Sequence, residues 1–466
     1  MTTSACSGPV TEEGDLVHLA RILENSTIDT ERGRLSSRFY DIGDAGCSLL
    51  FRYLDGEIDS VEVQRHANPV VSPRSPKQWP SCRTTNESIS TASLIRFTAV
   101  DLWGVSMSDP GFASLVSWIS ARSIPTGMTM LKILDLRRNL IIGSIAMAKD
   151  FIQCFTSVPA SQSLRTLVFS NNPLSPEFRR TLISLLHNIP SLRELSLSMT
   201  GLTSKDGKAL GKYFCRVSPP CRLVKFDANA NQLGVKGIKY IVNSLRHCYS
   251  LEVVELYANS NDGSSSPATS SSEDDGSHGE IANAASYRML EQVRSRYLMR
   301  NYFLKSSIKE QALELLKATR VLLSKPAVSL PAPPGSTSHT CISTPCFSTL
   351  PNELKLGILA ELAPHLSHQQ FMHVIEYGSL RETLPSVELR LPKLQLSARG
   401  SAEKPTTSRK FGSIVRTSPT TPSAQSNTTH YPNEKGTALQ AWLELVGCDM
   451  YEPSDQETNH HYFTQI

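Results

Sequence analysis

The sequence predicts an α/β solenoid in which short parallel strands line one face and helices line the other. Two observations carry this prediction. Between the repeated segments, stretches such as 202–214 and 233–245 space their apolar residues three or four apart, as helices do. The pattern L-x-x-L-x-L-x-x-N-x-L also recurs along the chain, with starts spaced 34, 33, 28, 31 and 28 residues apart, at Phe97, Leu131, Leu164, Leu192, Leu223 and Leu251.

Each position of the pattern predicts a structural role. The x-L-x-L-x segment is predicted to be a strand whose two leucines point into the hydrophobic core while their neighbours face outward. A single repeat cannot bury its own apolar face, so stacking of repeats provides the stability. The asparagine at position nine is expected to bond backbone groups where the chain leaves the strand. Losing such a partner costs about 1–3 kcal/mol, so Val105 and Thr200 at this position predict weaker coils. The predicted ladder comprises Asn139, Asn172, Asn231 and Asn259.

With a strand and a full helix in each repeat, residues 94 to 262 resemble the ribonuclease-inhibitor-like class of leucine-rich repeats. The resemblance implies a curved solenoid with strands on the concave face and helices on the convex face. It also identifies "IGDAGCSLLFRYL" (42–54) as the turn and helix of an earlier repeat, although no preceding strand is recognisable. The stretch "IDSVEVQ" (58–64) is a candidate for the next strand.

The rest of the chain predicts helices separated by disordered linkers. Residues 280–325 predict two helices that cap the solenoid, and 437–452 a terminal helix that packs back on the body. This layout resembles RNI-like proteins of unestablished function that are common in fungi. The predicted regions are a degenerate N-terminal repeat region with a Pro/Ser loop (1–92), the leucine-rich repeats (93–262), a disordered acidic Ser-rich loop (263–279), the capping helices (280–325), a linker (326–348), an F-box-like helical segment (349–396), a disordered basic tail (397–436), the terminal helix (437–452) and a tail (453–466).

Composition favours an intracellular protein of the cytoplasm or nucleus. A net charge of +4 over 466 residues gives no reason to expect specific nucleic-acid binding, and no apolar run reaches the ~20 residues of a membrane helix. The N-terminus lacks the pattern of a signal peptide, and the ten cysteines are scattered. His339, Cys341 and Cys346 are the only local group that hints at a metal, and their spacing fits no zinc pattern. We therefore expect neither metal nor cofactor.

We expect a binding surface rather than an active site. The sequence contains no catalytic motif, and strands that line an open face cannot exclude water. Positions five, seven and eight project onto that face, where an exposed Trp103 beside arginine and aspartate has the composition of an interface hot spot. In the alternative, Trp103 packs against the N-terminal region and the charges are solvated. The candidate protein-binding residues are Asp101, Trp103, Asp135, Arg137, Arg138, Asp227, Asn229, Glu255 and Tyr257.

The stretch "LPNELKLGILAELAP" (350–364) resembles the start of an F-box, which implies docking to a ubiquitin-ligase adaptor. Pro351 suits a helix start, and Glu353 suits the positive end of the helix dipole. However, Leu354, Ile358 and Leu362 form a stripe that any core-facing helix would show, so we expect a helix that packs on the solenoid end, with docking as the second interpretation. The matching residues are Leu350, Pro351, Glu353, Leu354, Ile358, Leu359 and Leu362.

Three functions stay open at this point. The favoured one is a non-catalytic scaffold that binds a protein partner through the concave face. The second is a substrate receptor of a cullin-type ubiquitin ligase. The third is a GTPase activator similar to the Ran-activating protein, whose repeats belong to this class but whose tail is acidic, whereas residues 397–436 are basic.

Overall fold

The computed structural model describes residues 13–29, 33–38, 41–55, 57–58, 63, 97–123, 131–156, 164–259, 276–323, 350–383 and 434–453. The chain divides into two compact units, Met1–Leu304 and Lys305–Ile466. The expectations for residues 263–275, 326–348, 384–433 and 454–466, with the candidate metal group in the linker, lie outside the described residues.

The first unit contains one sheet whose eight strands lie in sequence order. β1 and β2 are antiparallel, and every later pair is parallel. The predicted alternation of parallel strands with helices is confirmed. The strands are β1 (Thr27–Asp29), β2 (Arg34–Ser36), β3 (Ala99–Asp101), β4 (Ile133–Asp135), β5 (Thr166–Val168), β6 (Glu194–Ser196), β7 (Lys225–Asp227) and β8 (Val253–Glu255). The helices up to β8 are α1 (Glu13–Asn25), α2 (Gly43–Leu54), α3 (Asp109–Ser123), α4 (Ile145–Thr156), α5 (Pro176–Leu185), α6 (Ser204–Phe214) and α7 (Gly234–Ser244).

The core lies on the helical side of the sheet. The central residue of each strand from β2 to β8 is buried and aligned with the central residue of the next strand, as strand alternation requires. Phe112 on α3 packs its ring 5.6 Å from Phe151, 5.8 Å from Phe169 and 6.1 Å from Phe178, measured between centroids. Stacking of repeats therefore buries side chains that belong to three different helices and to the residue that follows β5.

The described residues of the N-terminal region form more elements than the sequence indicates. The predicted turn and helix are present as α2, and the strand before it is β2, which the sequence did not reveal. Most of the candidate strand at 58–64 lies outside the described residues, and in the sheet β2 pairs directly with β3. The Asp44 carboxylate on α2 accepts from the backbone N–H groups of Ser108 (2.7 Å) and Gly111 (2.9 Å), which fixes the start of α3.

The asparagine ladder joins each repeat to the one before it. Asn172 is buried, and its side-chain NH₂ donates to the carbonyls of Phe169 in its own repeat and Leu136 in the preceding one, both at 2.8 Å. Its Oδ1 accepts from the backbone N–H of Ile141 at 3.2 Å. Asn139 and Asn231 make the same kinds of bond in both directions. The predicted role of these asparagines is confirmed.

The ladder has a gap at Thr200, and buried charges lie beside it. The Thr200 hydroxyl donates only within its own repeat, to the Leu197 carbonyl at 2.7 Å. Arg179 on α5 is buried there; its guanidinium donates to the Thr200 carbonyl at 3.0 Å and lies 3.5 Å from the carboxylate of Asp206 on α6. Asp206 in turn accepts from the backbone N–H of Thr203 at 2.8 Å. The expectation that this coil is weaker stays a prediction.

One helix, not two, follows the sheet: α8 runs from Gly276 to Leu323. No glycine or proline interrupts residues 280–323, so nothing breaks it. In the first unit, Asn301 is buried and donates to the carbonyls of Cys248 (2.9 Å) and Leu251 (2.7 Å), and Arg300 donates to the Leu245 carbonyl (2.8 Å). These bonds satisfy backbone acceptors before β8, where the sheet ends.

The second unit is helical. It holds the rest of α8 with α9 (Asn352–Leu362), α10 (His368–Ser379) and α11 (Glu434–Leu445). A capping box at Ser367 begins α10, and the side-chain NH₂ of Gln370 donates to the carbonyls of Gly447 (2.7 Å) and Met450 (2.8 Å) after α11. The ring of Trp442 lies 6.1 Å from that of Tyr377. Within this unit, the terminal helix therefore packs against α10.

We predict that Asn172→Ala lowers the free energy of unfolding by about 1–3 kcal/mol, because it leaves buried backbone groups of two repeats without partners. Urea denaturation measures the change. Asn243→Ala is the matched control, since Asn243 is exposed on α7 and should change stability little. Equal losses in both variants would contradict the structural role of the ladder.

Candidate functional site

The face of the sheet opposite the core carries the candidate site. We call the side chains at positions five and seven of the six repeats the polar face. The position-five residues are aligned strand by strand, which places them in one row: Asp101, Asp135, Val168, Ser196, Asp227 and Glu255. The position-seven residues are Trp103, Arg137, Ser170, Ser198, Asn229 and Tyr257.

Trp103 lies beneath three guanidinium groups. The carbon centres of Arg137, Arg138 and Arg38 lie 4.7, 5.6 and 5.8 Å from the Trp103 ring centroid. These distances are those of cation–π contacts, which strengthen as the cation loses water. We call these four residues the arginine–tryptophan cluster. Trp103 is half-buried, and its contact with Arg38 agrees with the alternative in which it packs against the N-terminal region.

The sequence missed Arg38 because the strand before it was unrecognisable. A usable signal was present: Gly43, at the start of α2, follows the central residue Leu35 of β2 at the same interval as Gly234 follows Phe226 in a clear repeat. Both glycines have a positive φ, 63° and 59°, which only glycine adopts readily. Aligning the two turns places Arg38 at position seven.

The two acidic residues of the cluster region lie beneath its arginines. The Arg38 Nε donates to the Asp101 carboxylate at 2.5 Å, and the Arg137 Nε lies 2.9 Å from both oxygens of Asp135. The side chains of Asp101 and Asp135 are 14% and 8% exposed, against 46% for Arg38 and 37% for Arg137. Asp135, a candidate contact residue, is therefore buried beneath Arg137. This end of the face presents positive charge.

Burial and charge pairing shift the pKa values of two of these groups in the same direction. Burial raises the pKa of the Asp101 carboxyl above its ordinary value, and the hydrogen bond from Arg38 opposes that shift. The hydrogen bond to Asp135 raises the pKa of Arg137. Arg137 therefore carries its full charge over the whole pH range in which the protein is handled.

The other half of the polar face is a chain of hydrogen-bonded side chains. Ser196 donates to the Asp227 carboxylate at 2.9 Å, and Ser198 donates to the same carboxylate. The Asn229 side chain donates to Glu255 at 3.0 Å and accepts from the backbone N–H of Tyr257 at 2.7 Å. The exposed Tyr257 ring lies 5.5 Å from the Arg294 guanidinium of α8. Asp227 and Glu255 are thus already paired.

The position of the Arg138 side chain depends on a backbone conformation that the sequence pattern did not predict. Position eight has a positive φ in all six repeats, and five of the six residues are not glycine: Gly104, Arg138, Asn171, Met199, Ala230 and Ala258, with φ between 52° and 68°. A side chain in this region costs roughly 1–2 kcal/mol. At Arg138, with φ of 55°, the turn places the exposed guanidinium beside the Trp103 ring.

The F-box-like residues in the second unit are arranged differently from the prediction. Leu359 and Lys355 are buried in α9, whereas the stripe of Leu354, Ile358 and Leu362 is exposed. The prediction that this stripe faces a core is wrong. The helix is apolar on both sides, so sequence spacing could not tell which side the rest of the unit would cover. Pro351 precedes the first helical residue, and Glu353 lies in the first turn, as predicted.

Other kinds of site are not apparent in the described part of the chain. There, no three His, Cys, Asp or Glu residues are grouped so that they could hold a metal ion. None of the helices in those ranges combines the length and apolar character needed to cross a membrane. No protein-family model matches the chain, and no curated protein matches it.

We predict that Arg38→Gln raises the pKa of Asp101 further, because it removes the largest effect that opposes burial. Titration of the Asp101 carboxyl carbon by NMR measures the change. Arg52→Gln, which breaks the ion pair with Glu57, is the control and should leave that pKa unchanged. An unaltered or lower pKa in Arg38→Gln would mean that Arg38 does not stabilise the carboxylate.

Proposed function

We propose that the protein is a non-catalytic interaction scaffold of the ribonuclease-inhibitor-like leucine-rich-repeat class, which binds a protein partner through the polar face. The single observation that carries the proposal is Trp103, which is half-buried under three guanidinium groups on the polar face of the sheet. Tryptophan and arginine are the residues that most often dominate binding energy at interfaces. The sequential parallel sheet and the asparagine ladder support the repeat class.

The chemistry of the face supports binding rather than catalysis. A general acid or base needs a proton that it can exchange with a substrate. Asp135 is instead held by Arg137 through hydrogen bonds to both of its oxygens, and Asp227 by the hydroxyls of Ser196 and Ser198. These carboxylates therefore serve to position neighbouring side chains.

We predict that Trp103→Ala and Arg138→Ala each remove the partner that full-length protein captures in affinity purification, because each deletes part of the arginine–tryptophan cluster. Lys239→Ala is the control, since Lys239 is exposed on α7, away from the sheet. The variants are compared by quantitative mass spectrometry after a melting curve shows that they are folded. If both variants retain every partner of the control, the polar face is not the binding surface.

A second function, substrate receptor of a cullin-type ubiquitin ligase, gains support from α9. The apolar side chains of Leu354, Ile358 and Leu362 are exposed along one side of that helix, while Leu359 anchors the other. Exposed apolar stripes of this kind are common at docking sites. The same residues match the start of an F-box.

We predict that, if this second function holds, the full-length protein binds a purified ligase adaptor and the double variant Leu354→Ser/Ile358→Ser does not. The reason is that serine removes apolar surface without touching the buried Leu359. Leu445→Ser on α11 is the control, because Leu445 is equally apolar and exposed in the same unit. Absence of wild-type binding in a pull-down, with the helices folded by circular dichroism, would remove this function.

A further inference from the structure

We infer that the partner of the arginine–tryptophan cluster is an acidic polypeptide segment that carries a large apolar residue beside its carboxylates. This inference rests on the proposed function and names the chemistry of the partner. It depends on two features that the sequence did not reveal: the layering of charge at this end of the polar face, and an exposed aliphatic patch that follows Arg138 along the chain.

The arrangement of arginines over carboxylates favours an acidic partner. Each carboxylate of this region is covered by an arginine of its own, so a partner meets the guanidinium groups and not the carboxylates. Arg138 adds a third cation: it is exposed, and among the residues that the structure describes it contacts Trp103 but forms no ion pair. Because guanidinium groups bind carboxylates through paired hydrogen bonds, an acidic segment complements this surface better than a basic one.

The aliphatic patch selects an apolar neighbour. Leu140 and Ile142 are exposed, and they follow Arg138 directly along the chain after β4. Their backbone is fixed, since Leu140 N–H donates to the Met107 carbonyl at 2.8 Å and Ile142 N–H donates to the Asp109 carboxylate at 2.9 Å. Exposed apolar side chains on a fixed backbone just after Arg138, taken together with the tryptophan and arginines of the cluster, match the composition of interface cores.

The Asp109 carboxylate borders the patch, and it limits where the acidic part of the partner can lie. Its Oδ1 also accepts the Gly143 N–H, at 2.8 Å. Like charges repel, so the partner places its apolar residue over Leu140 and Ile142 and its carboxylates over Arg138 and Arg38.

The test uses full-length protein and short fluorescein-labelled peptides, with binding followed by fluorescence anisotropy. One peptide alternates pairs of glutamate and leucine, the second replaces glutamate by lysine, and the third replaces leucine by serine. We expect only the glutamate–leucine peptide to bind. Arg138→Glu and Leu140→Ser should each weaken it by about tenfold, as hot-spot residues do. Lys239→Glu makes the same charge reversal on α7 and should have no effect.

Both test variants change exposed side chains, and melting curves check that they are folded. The inference is overturned if the lysine–leucine peptide binds as well as the glutamate–leucine peptide, if none of the peptides binds, or if Arg138→Glu behaves like Lys239→Glu. Such a result leaves the proposed function standing as long as capture of the native partner still depends on Trp103. Loss of that dependence, by contrast, removes the proposed function itself.

Discussion

The hydrogen bonds of the buried asparagines connect the repeats and make the rest of the first unit possible. Each strand is only three residues long, so its own ladder of backbone bonds is short. Asn172 adds bonds to its own repeat and to the preceding one at the point where the chain leaves the sheet. Because these groups are buried, each unmade bond would carry a full desolvation cost. These bonds reinforce the strand register in which the polar face is aligned.

Alignment of the strands then decides what the polar face offers to a partner. Residues at positions five and seven point the same way, so an arginine at position seven reaches the aspartate two residues before it, as Arg137 reaches Asp135. Arg38 reaches the Asp101 carboxylate of the neighbouring strand in the same manner. A row that reads as acidic along the sequence therefore presents positive charge at the end near β2 and a paired, polar surface near β8.

The repeats could be predicted because the information that specifies them is local. Apolar spacing and the position-nine asparagine give the strands, most helices and the ladder of the central region. The N-terminal strand β2, the continuous helix α8 and the exposed stripe of α9 were not predicted. Strand β2 lacks the asparagine and the leucine pattern. Helix α8 was expected to be two helices, although no glycine or proline marks a break within 280–323. The exposure of the α9 stripe depends on which side of an apolar helix the rest of the unit covers.

By itself, the sequence determined the class of fold, the positions of the central strands and which residues share the polar face, because a period of two along a strand fixes the side to which each side chain points. Only the tertiary structure decided which of those residues a partner can touch. Burial of Asp101 and Asp135, the arrival of Arg38 from β2 and the left-handed turn at Arg138 all depend on neighbouring repeats. Whether a side chain is exposed depends on how neighbouring repeats pack against it, and the sequence of a single repeat does not specify that packing.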